Sequence, residues 1–416
     1  MRWEKLDNTA HVFPTIAGED MTNVYRISVT LNEPVDKDIL QQALDILVPK
    51  IDGFNVRLRK GIFWYYLEEN TKPAPRVREE DNYPCRYIVQ NRNNSYLFRV
   101  TYYKARINLE VYHVLADGMG GINFLKELTY QYLRLAHKEL SVIKDDLTCG
   151  TSLNREDAFV KNYRRSRPSG FNRQKAAHLK FDKLPKGEFG MMHVLMSVKE
   201  LKAASARYGA SINEYLAAVF AWAIYEKGIR RSGADRPIRI AVPVNLRPYF
   251  KSNTTKNFFV MVSAEMPDNE ENYTFEQVIE QIKESLRSQI DKDKLENLFS
   301  YSVSNQMSLF LRLVPLMIKN IVIKFVYEKS AMANTATMTN IGNIKVDEPY
   351  APYITHFYGA IAMSKGQSLK GTICSYKDTL NFTFSTIYVD TSVQYSFINR
   401  LNEDDIRVSL ETNGVF

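Results

Sequence analysis

The run Ile107-Asn108-Leu109-Glu110-Val111-Tyr112-His113 alternates in the manner of a strand with two different faces. It halts before Asp117-Gly118. From Met119 to Ala136 the spacing becomes helical, with Ile122, Leu125, Leu128, Tyr132 and Leu135 along one side. A chain that changes period over so few residues turns sharply there. The residue at the end of the strand, His113, is therefore presented at a junction between two rigid elements, where functional side chains are often found.

The same change of period recurs on both sides of this junction. In the first half, strands are expected at 24–31, 56–58, 63–67 and 96–103. A helix runs from Pro34-Val35-Asp36 to Leu47, with Ile39, Leu40, Ala43, Leu44 and Leu47 at helical spacing. In the second half, a strand at 192–197 leads to a helix at 198–208. Ser211 and Glu214 then form a capping box for an apolar helix at 214–227. Further strands are expected at 238–244, 258–264, 336–338, 355–361, 371–376 and 380–388, with a helix at 274–289. At 416 residues the chain is too long for one ordinary core. The expected organisation is an α+β fold of two lobes at 1–145 and 191–416, joined by a connector at 146–190 rich in Ser, Pro, Gly and basic residues.

Three cysteines, Cys85, Cys149 and Cys374, lie far apart without metal-ligand spacing. That usage suits a reducing compartment, and no metal site is expected. The first residues, Met1-Arg2-Trp3-Glu4-Lys5, carry charge where a secretory signal has an apolar run, so a cytoplasmic location is expected. The apolar stretch 309–327 is interrupted by Arg312, Pro315, Lys319 and Lys324. Each charge near a bilayer centre costs roughly 2.5–3.5 kcal/mol. The stretch is therefore read as one or two buried or groove-lining helices; membrane contact is not predicted, although an interfacial helix is compatible with it. The net charge of +8 includes Arg164-Arg165-Ser166-Arg167 and Arg230-Arg231 with Arg236 behind. It suits a solvated basic surface or attraction of a polyanionic partner. Nucleic acid is not expected, since no recognition motif accompanies the charge.

His113-Val114-Leu115-Ala116-Asp117-Gly118 is the one segment with chemistry in it. Alone, the pair also suits a structural histidine beside a loop aspartate. In its setting the sequence resembles the CoA-dependent acyltransferase superfamily, which includes chloramphenicol acetyltransferase, alcohol acetyltransferases, plant BAHD enzymes and the condensation domains of peptide synthetases. The resemblance rests on HxxxDG, on Val242-Pro243-Val244-Asn245-Leu246-Arg247-Pro248, on Asn257-Phe258-Phe259 and on Thr339-Asn340-Ile341-Gly342, in that order. It is nearest to bacterial alcohol acetyltransferase-like proteins. The DFGWG string of the plant enzymes is absent, and Tyr112 stands where condensation domains carry a second histidine.

The resemblance implies two chloramphenicol-acetyltransferase-like lobes, each a mixed, largely antiparallel sheet with flanking helices, forming a V with a central channel. It implies His113 as a general base and acyl-CoA as co-substrate, with no permanently bound cofactor; cofactor-binding residues are not assigned. Asp117 and Gly118 are implied to be structural, Asp117 pairing with Arg247 to hold the turn. Thr339 and Asn340, with Asn257 behind them, stand as oxyanion or substrate candidates. Gly118, Gly120 and Gly121 are expected to allow close backbone approach. The acceptor is a small alcohol or amine, and a monomer is expected. Two alternatives stay open: an acyl group delivered by a phosphopantetheinyl carrier protein, and a catalytically silent scaffold of the same fold. The remaining histidines, His11, His137, His178, His193 and His356, are read as structural or surface residues.

Overall fold

The alternating strands pair so that their apolar halves fall on one face of each sheet, and two separate cores form beneath them. The computed structural model describes residues 2–144, 146–147, 154–165, 174–230, 236–267, 272–307 and 313–416. Its strands are β1 (Trp3–Lys5), β2 (Val24–Leu31), β3 (Val56–Lys60), β4 (Tyr65–Glu69), β5 (Arg78–Glu79), β6 (Phe98–Tyr103), β7 (Arg106–Tyr112), β8 (Gly190–Ser197), β9 (Ile238–Asn245), β10 (Phe259–Met266), β11 (Ala336–Asn343), β12 (Ile354–Ile361), β13 (Leu369–Tyr376), β14 (Thr379–Thr386) and β15 (Val408–Thr412). The helices are α1 (Phe13–Ile16), α2 (Lys37–Leu47), α3 (Gly118–Ala136), α4 (Ala158–Lys161), α5 (Val198–Arg207), α6 (Ile212–Ile224), α7 (Arg247–Phe250), α8 (Phe275–Gln289), α9 (Lys292–Met307), α10 (Leu316–Ala331) and α11 (Ser392–Glu403).

The first lobe is built on a five-stranded sheet in the order β12-β2-β7-β6-β5, with a small sheet β1-β4-β3 beside it. Helix α2 starts at Asp36, whose carboxylate accepts from Asp38 N and Ile39 N, and it buries Leu40, Ala43, Leu44 and Leu47. The second lobe holds seven strands in the order β10-β9-β11-β13-β14-β8-β15, antiparallel except where β11 runs parallel to β9 and β13. Helix α6 lies in its core, opened by the Ser211–Glu214 capping box. It ends earlier than the apolar run suggests, because a π turn takes over at Tyr225–Ile229. This is the expected mixed α+β architecture of two large sheets with flanking helices.

Three features depart from the expected organisation. Strand β12 belongs by sequence to the second lobe, yet it pairs antiparallel with β2 in the first sheet. Ile354 and Phe357 join the first core, so the lobes are laced together rather than divided at one cut. Strand β15 and helix α11 were not anticipated; β15 closes the sheet edge beside β8. Helix α10 is not buried: Met317, Ile321 and Phe325 stand in solvent. Residues 308–312 of that apolar stretch, Cys149 and residues 148–153 and 166–173 of the connector, Ser166, Arg167 and Arg231 lie outside the described residues.

The lobes meet closely at the start of α3. A Cβ on Gly120 would stand 2.6 Å from the Thr255 carbonyl oxygen and 2.7 Å from the Ala116 Cβ, neither of which can swing away. Gly120→Ala is expected to destabilise the protein by roughly 1–3 kcal/mol through overpacking, read as a lower urea midpoint. A Cβ on Gly118 would meet only Ile341 Cγ1 at 3.7 Å. Gly118→Ala should therefore shift stability by no more than about 0.5 kcal/mol.

Candidate active site

Strand β7 is held between β2 and β6, and its direction is fixed through the last pair, Val24 with Tyr112. His113 N then donates to Asn23 O at 2.9 Å, which carries the register one residue further and orients the side chain. Its imidazole is enclosed by aromatic rings. Phe13 of α1 stacks on it with centroids 4.7 Å apart, Tyr25 meets it edge-on at 5.1 Å, and Phe259 tilts against it at 5.7 Å. The residue keeps partial solvent access.

A short relay decides which ring nitrogen carries the proton. Asp7 is buried, and its carboxylate accepts from Asn257 Nδ2 at 2.9 Å, Asn257 N at 3.3 Å and Ala10 N at 2.8 Å. Asn257 Nδ2 also donates to His113 O at 3.1 Å. Both amide hydrogens of Asn257 are thereby used, which turns its Oδ1 toward His113 Nδ1, 2.9 Å away. An amide oxygen can only accept, so Nδ1 is the donor and carries the hydrogen. Nε2 keeps its lone pair, and among the described residues it has no hydrogen-bond partner.

Asp117 faces away from the imidazole. Arg247 grips it with two prongs, Nη1 to Oδ2 at 2.8 Å and Nη2 to Oδ1 at 3.0 Å. The same carboxylate caps α3, accepting from Met119 N and Gly120 N, and also accepts from Phe258 N. Arg247 further donates to Thr254 O and Lys256 O. The loop that delivers Asn257 is thus fastened at both sides by the guanidinium that holds the HxxxDG turn.

Burial is the largest influence on His113 and lowers its pKa. Lys370 acts in the same direction, while the Asp117 carboxylate and the Asn257 bond oppose them. Lys370 is itself a buried amine pushed down to about 7 by desolvation, and it donates to Ala362 O at 2.8 Å. Burial raises Asp7 to about 6, against the hydrogen bonds it receives. Cys374 is buried with its thiol pushed up to about 12, and burial likewise raises the Cys85 thiol, so neither is poised as a nucleophile.

The remaining candidates are divided by the pleat of β11. Thr339 is half-buried and pairs with Thr372, just before an irregularity at Ile341, whose side chain packs against the first core beside Gly118. Its hydroxyl makes no hydrogen bond among the described residues. Asn340 lies on the other face, exposed, and donates to Asn213 Oδ1 at 3.3 Å; it does not join the cluster around His113. Asn257 also departs from its expected place as an oxyanion donor, because both its amide hydrogens are engaged. Asp7, Phe13, Tyr25 and Lys370 were not singled out in the sequence. Asp7 and Phe13 sit in a segment without period, and nothing local marks them. The other histidines have partners of their own: His137 with Glu33, His178 with Gly366 O, His193 with Thr383, and His11 against Trp64. His356 lies 6.2 Å from Tyr358.

A cavity of about 500 Å³ opens elsewhere, at the β5–β6 edge, lined by Arg76, Arg78, Arg86, Arg92 and Arg99 among others. It includes none of the residues around His113.

No family model matches the chain, and no curated protein is similar to it in sequence. Solved structures are similar in fold. The F. sporotrichioides TRI101 protein complexed with coenzyme A and T-2 superposes with a TM-score of 0.62 at 10% identity, covering 99% of this chain and 100% of that one. The first condensation domain of the calcium-dependent antibiotic synthetase, in complex with a substrate analogue, gives 0.60 at 14% identity, covering 98% and 99%. Polyketide synthase associated protein 5 from Mycobacterium tuberculosis gives 0.59 at 15% identity, covering 96% of each chain. The chain carries the two-lobed fold shared by CoA-dependent acyltransferases and condensation domains.

Proposed function

We propose that the protein transfers an acyl group from a CoA thioester to a hydroxyl or amine, with His113 as the general base. The observation that carries this reading is the bare Nε2 of an imidazole whose other nitrogen is committed to Asn257. Nε2 removes the acceptor proton as the acceptor oxygen or nitrogen attacks the thioester carbonyl. The tetrahedral intermediate then collapses, the carbon–sulfur bond breaks, and the imidazolium returns the proton to the departing thiolate. Base assistance of this kind supplies roughly 10²–10⁴-fold in rate. Holding both substrates at one ring contributes further through proximity. Neither a nucleophilic thiol nor a covalent enzyme intermediate is required.

Thr339 is our candidate donor to the developing oxyanion, since it stands two residues before Ile341, which approaches Gly118, and its hydroxyl makes no hydrogen bond among the described residues. Asp117 and Arg247 act by holding the turn. The net charge of +8 favours a polyanionic donor, a property common to CoA and to an acidic carrier protein. We take CoA as the donor, a cytoplasmic location and a monomer as parts of the same reading.

Thiol release from acetyl-CoA with mixed alcohols and amines tests the proposal. Release is expected with the native protein, and His113→Ala should lower it by roughly 10²-fold or more while the protein still unfolds in one cooperative transition. Near-native turnover by that variant would refute the role of His113. Release from an acyl carrier protein alone would assign the donor differently. Absence of turnover with both would leave a binding scaffold.

The relay yields a second expectation. Asp7→Asn keeps one acceptor oxygen where the carboxylate offered two, one to Asn257 Nδ2 and N and the other to Ala10 N. Whichever way its amide lies, its NH2 meets an N–H donor, so the hold on Asn257, and with it the Nδ1–H tautomer, is loosened. The variant should fall by a factor of about 10² in kcat with KM little changed. An unaltered kcat would show that Asp7 does not fix the ring.

The pH profile follows from the sign of the shift. A base must be neutral to act, and the folded environment lowers the His113 pKa below its ordinary 6.5. kcat/KM should therefore be flat at neutral pH and fall below pH 6.5, where protonation of Asp7, raised to about 6, also loosens the relay. An acid limb above pH 7 contradicts the assignment.

A further inference from the structure

Helix α10 is packed with its polar side inward. Lys319 Nζ stands 3.5 Å from the Trp64 ring centroid and donates to Phe63 O at 3.0 Å. Asn320 Oδ1 accepts from the Thr15 hydroxyl at 3.0 Å, and its amide donates to the Tyr65 hydroxyl at 3.0 Å. Tyr327 reaches Met21 Sδ. The apolar side chains face the other way. Met317, Ile318, Ile321, Val322, Phe325 and Val326 are 72%, 53%, 71%, 56%, 57% and 55% exposed. The tip of the β3–β4 hairpin extends the same face: Ile62 is 77% exposed, and its carbonyl accepts from Leu316 N at 2.9 Å. Single exposed apolar residues are ordinary, but a continuous stripe of them marks an interaction surface.

The charges around the stripe select the partner. Lys60, Lys324 and Lys329 are exposed and have no carboxylate partner among the described residues. Lys329 Nζ stands 4.3 Å from the Phe325 ring centroid, so its charge sits at the edge of the apolar face. The one acid of the helix, Glu328, pairs with Lys365 at 3.2 Å. An apolar stripe with unpaired lysines is the pattern of a helix lying in the boundary between headgroups and acyl chains of an anionic leaflet. No helix among the described residues is long and apolar enough to cross a membrane.

We propose that α10 and the β3–β4 tip dock the protein on an anionic lipid surface, with the helix lying in the interface plane. Helix α1 packs directly beneath α10 and carries Phe13, which stacks on His113. The docked face is therefore one short helix away from the imidazole, on the side from which an apolar acyl chain or acceptor could leave the bilayer. That last consequence rests on the acyl-transfer reading; the docking itself does not.

Flotation of the full chain with vesicles tests the docking without reference to turnover. The native protein is expected to float with vesicles of equal parts phosphatidylglycerol and phosphatidylcholine, and more weakly with phosphatidylcholine alone or at high salt. The double substitution Ile321→Glu with Phe325→Glu, on exposed positions, should reduce partitioning by about tenfold or more while leaving the melting temperature unchanged. The proposal is overturned if the native protein floats with neither vesicle, or if the double variant floats as well as the native chain. It is equally overturned if the native protein is a dimer that the substitutions dissociate and that does not float, since the face would then belong to a second copy. Thiol release with a water-soluble acceptor, measured on the same samples, separates failure of docking from failure of the acyl-transfer reading.

Discussion

The two-pronged contact between Arg247 and Asp117 is the constraint on which the rest of the site depends. Both groups are buried, so each needs the other: removing one partner of such a pair leaves an uncompensated charge, at a cost of roughly 3–5 kcal/mol. The pair does more than neutralise. Asp117 caps α3 and accepts from Phe258 N, while Arg247 gathers Thr254 O and Lys256 O. One contact therefore fixes the strand-to-helix turn of the first lobe and the loop of the second. Asn257 lies on that loop, between the residues that Arg247 and Asp117 hold. The position of Asn257, and through it the orientation of His113, follows from an ion pair that does not touch the ring.

The electrostatic arrangement agrees with this mechanical one. The ring is deep enough for desolvation to dominate its titration, so the neutral form prevails near pH 7. A fixed carboxylate in direct contact would have favoured the imidazolium instead. Here the acidic group, Asp7, is one amide removed, and it acts on the tautomer through Asn257 rather than on the charge of the ring. Asp117, the nearer carboxylate in sequence, has its charge answered by Arg247. An imidazole kept neutral, with its hydrogen held on Nδ1 by Asn257 Oδ1, is a base that needs no rearrangement before it acts.

Much of this could be read in the residues. The change from period 2 to helical spacing between 107 and 136 located His113 at the end of β7, and the capping box at Ser211 placed the start of α6 to within a residue or two. Pairing of Asp117 with Arg247 was implied by the family resemblance, and the structure brings the two together. What escaped is non-local. A strand such as β12 has the same alternation whichever sheet it joins, so its return to the first lobe leaves no local mark. Asp7 is one acid in a segment without period, and only the fold brings it to Asn257. Helix α10 is illegible for a different reason: apolar content ordinarily signals burial, whereas here Lys319 and Asn320 fill the inward side and leave the apolar stripe outside.

The central claim is that His113 is held neutral with its hydrogen on Nδ1 and its Nε2 lone pair free. Nitrogen NMR of the histidine-labelled protein at neutral pH, with His113 assigned by the signals lost in His113→Gln, reads this directly. The account predicts a protonated Nδ1 and a bare Nε2. A hydrogen on Nε2, or an imidazolium at pH 7, would contradict it.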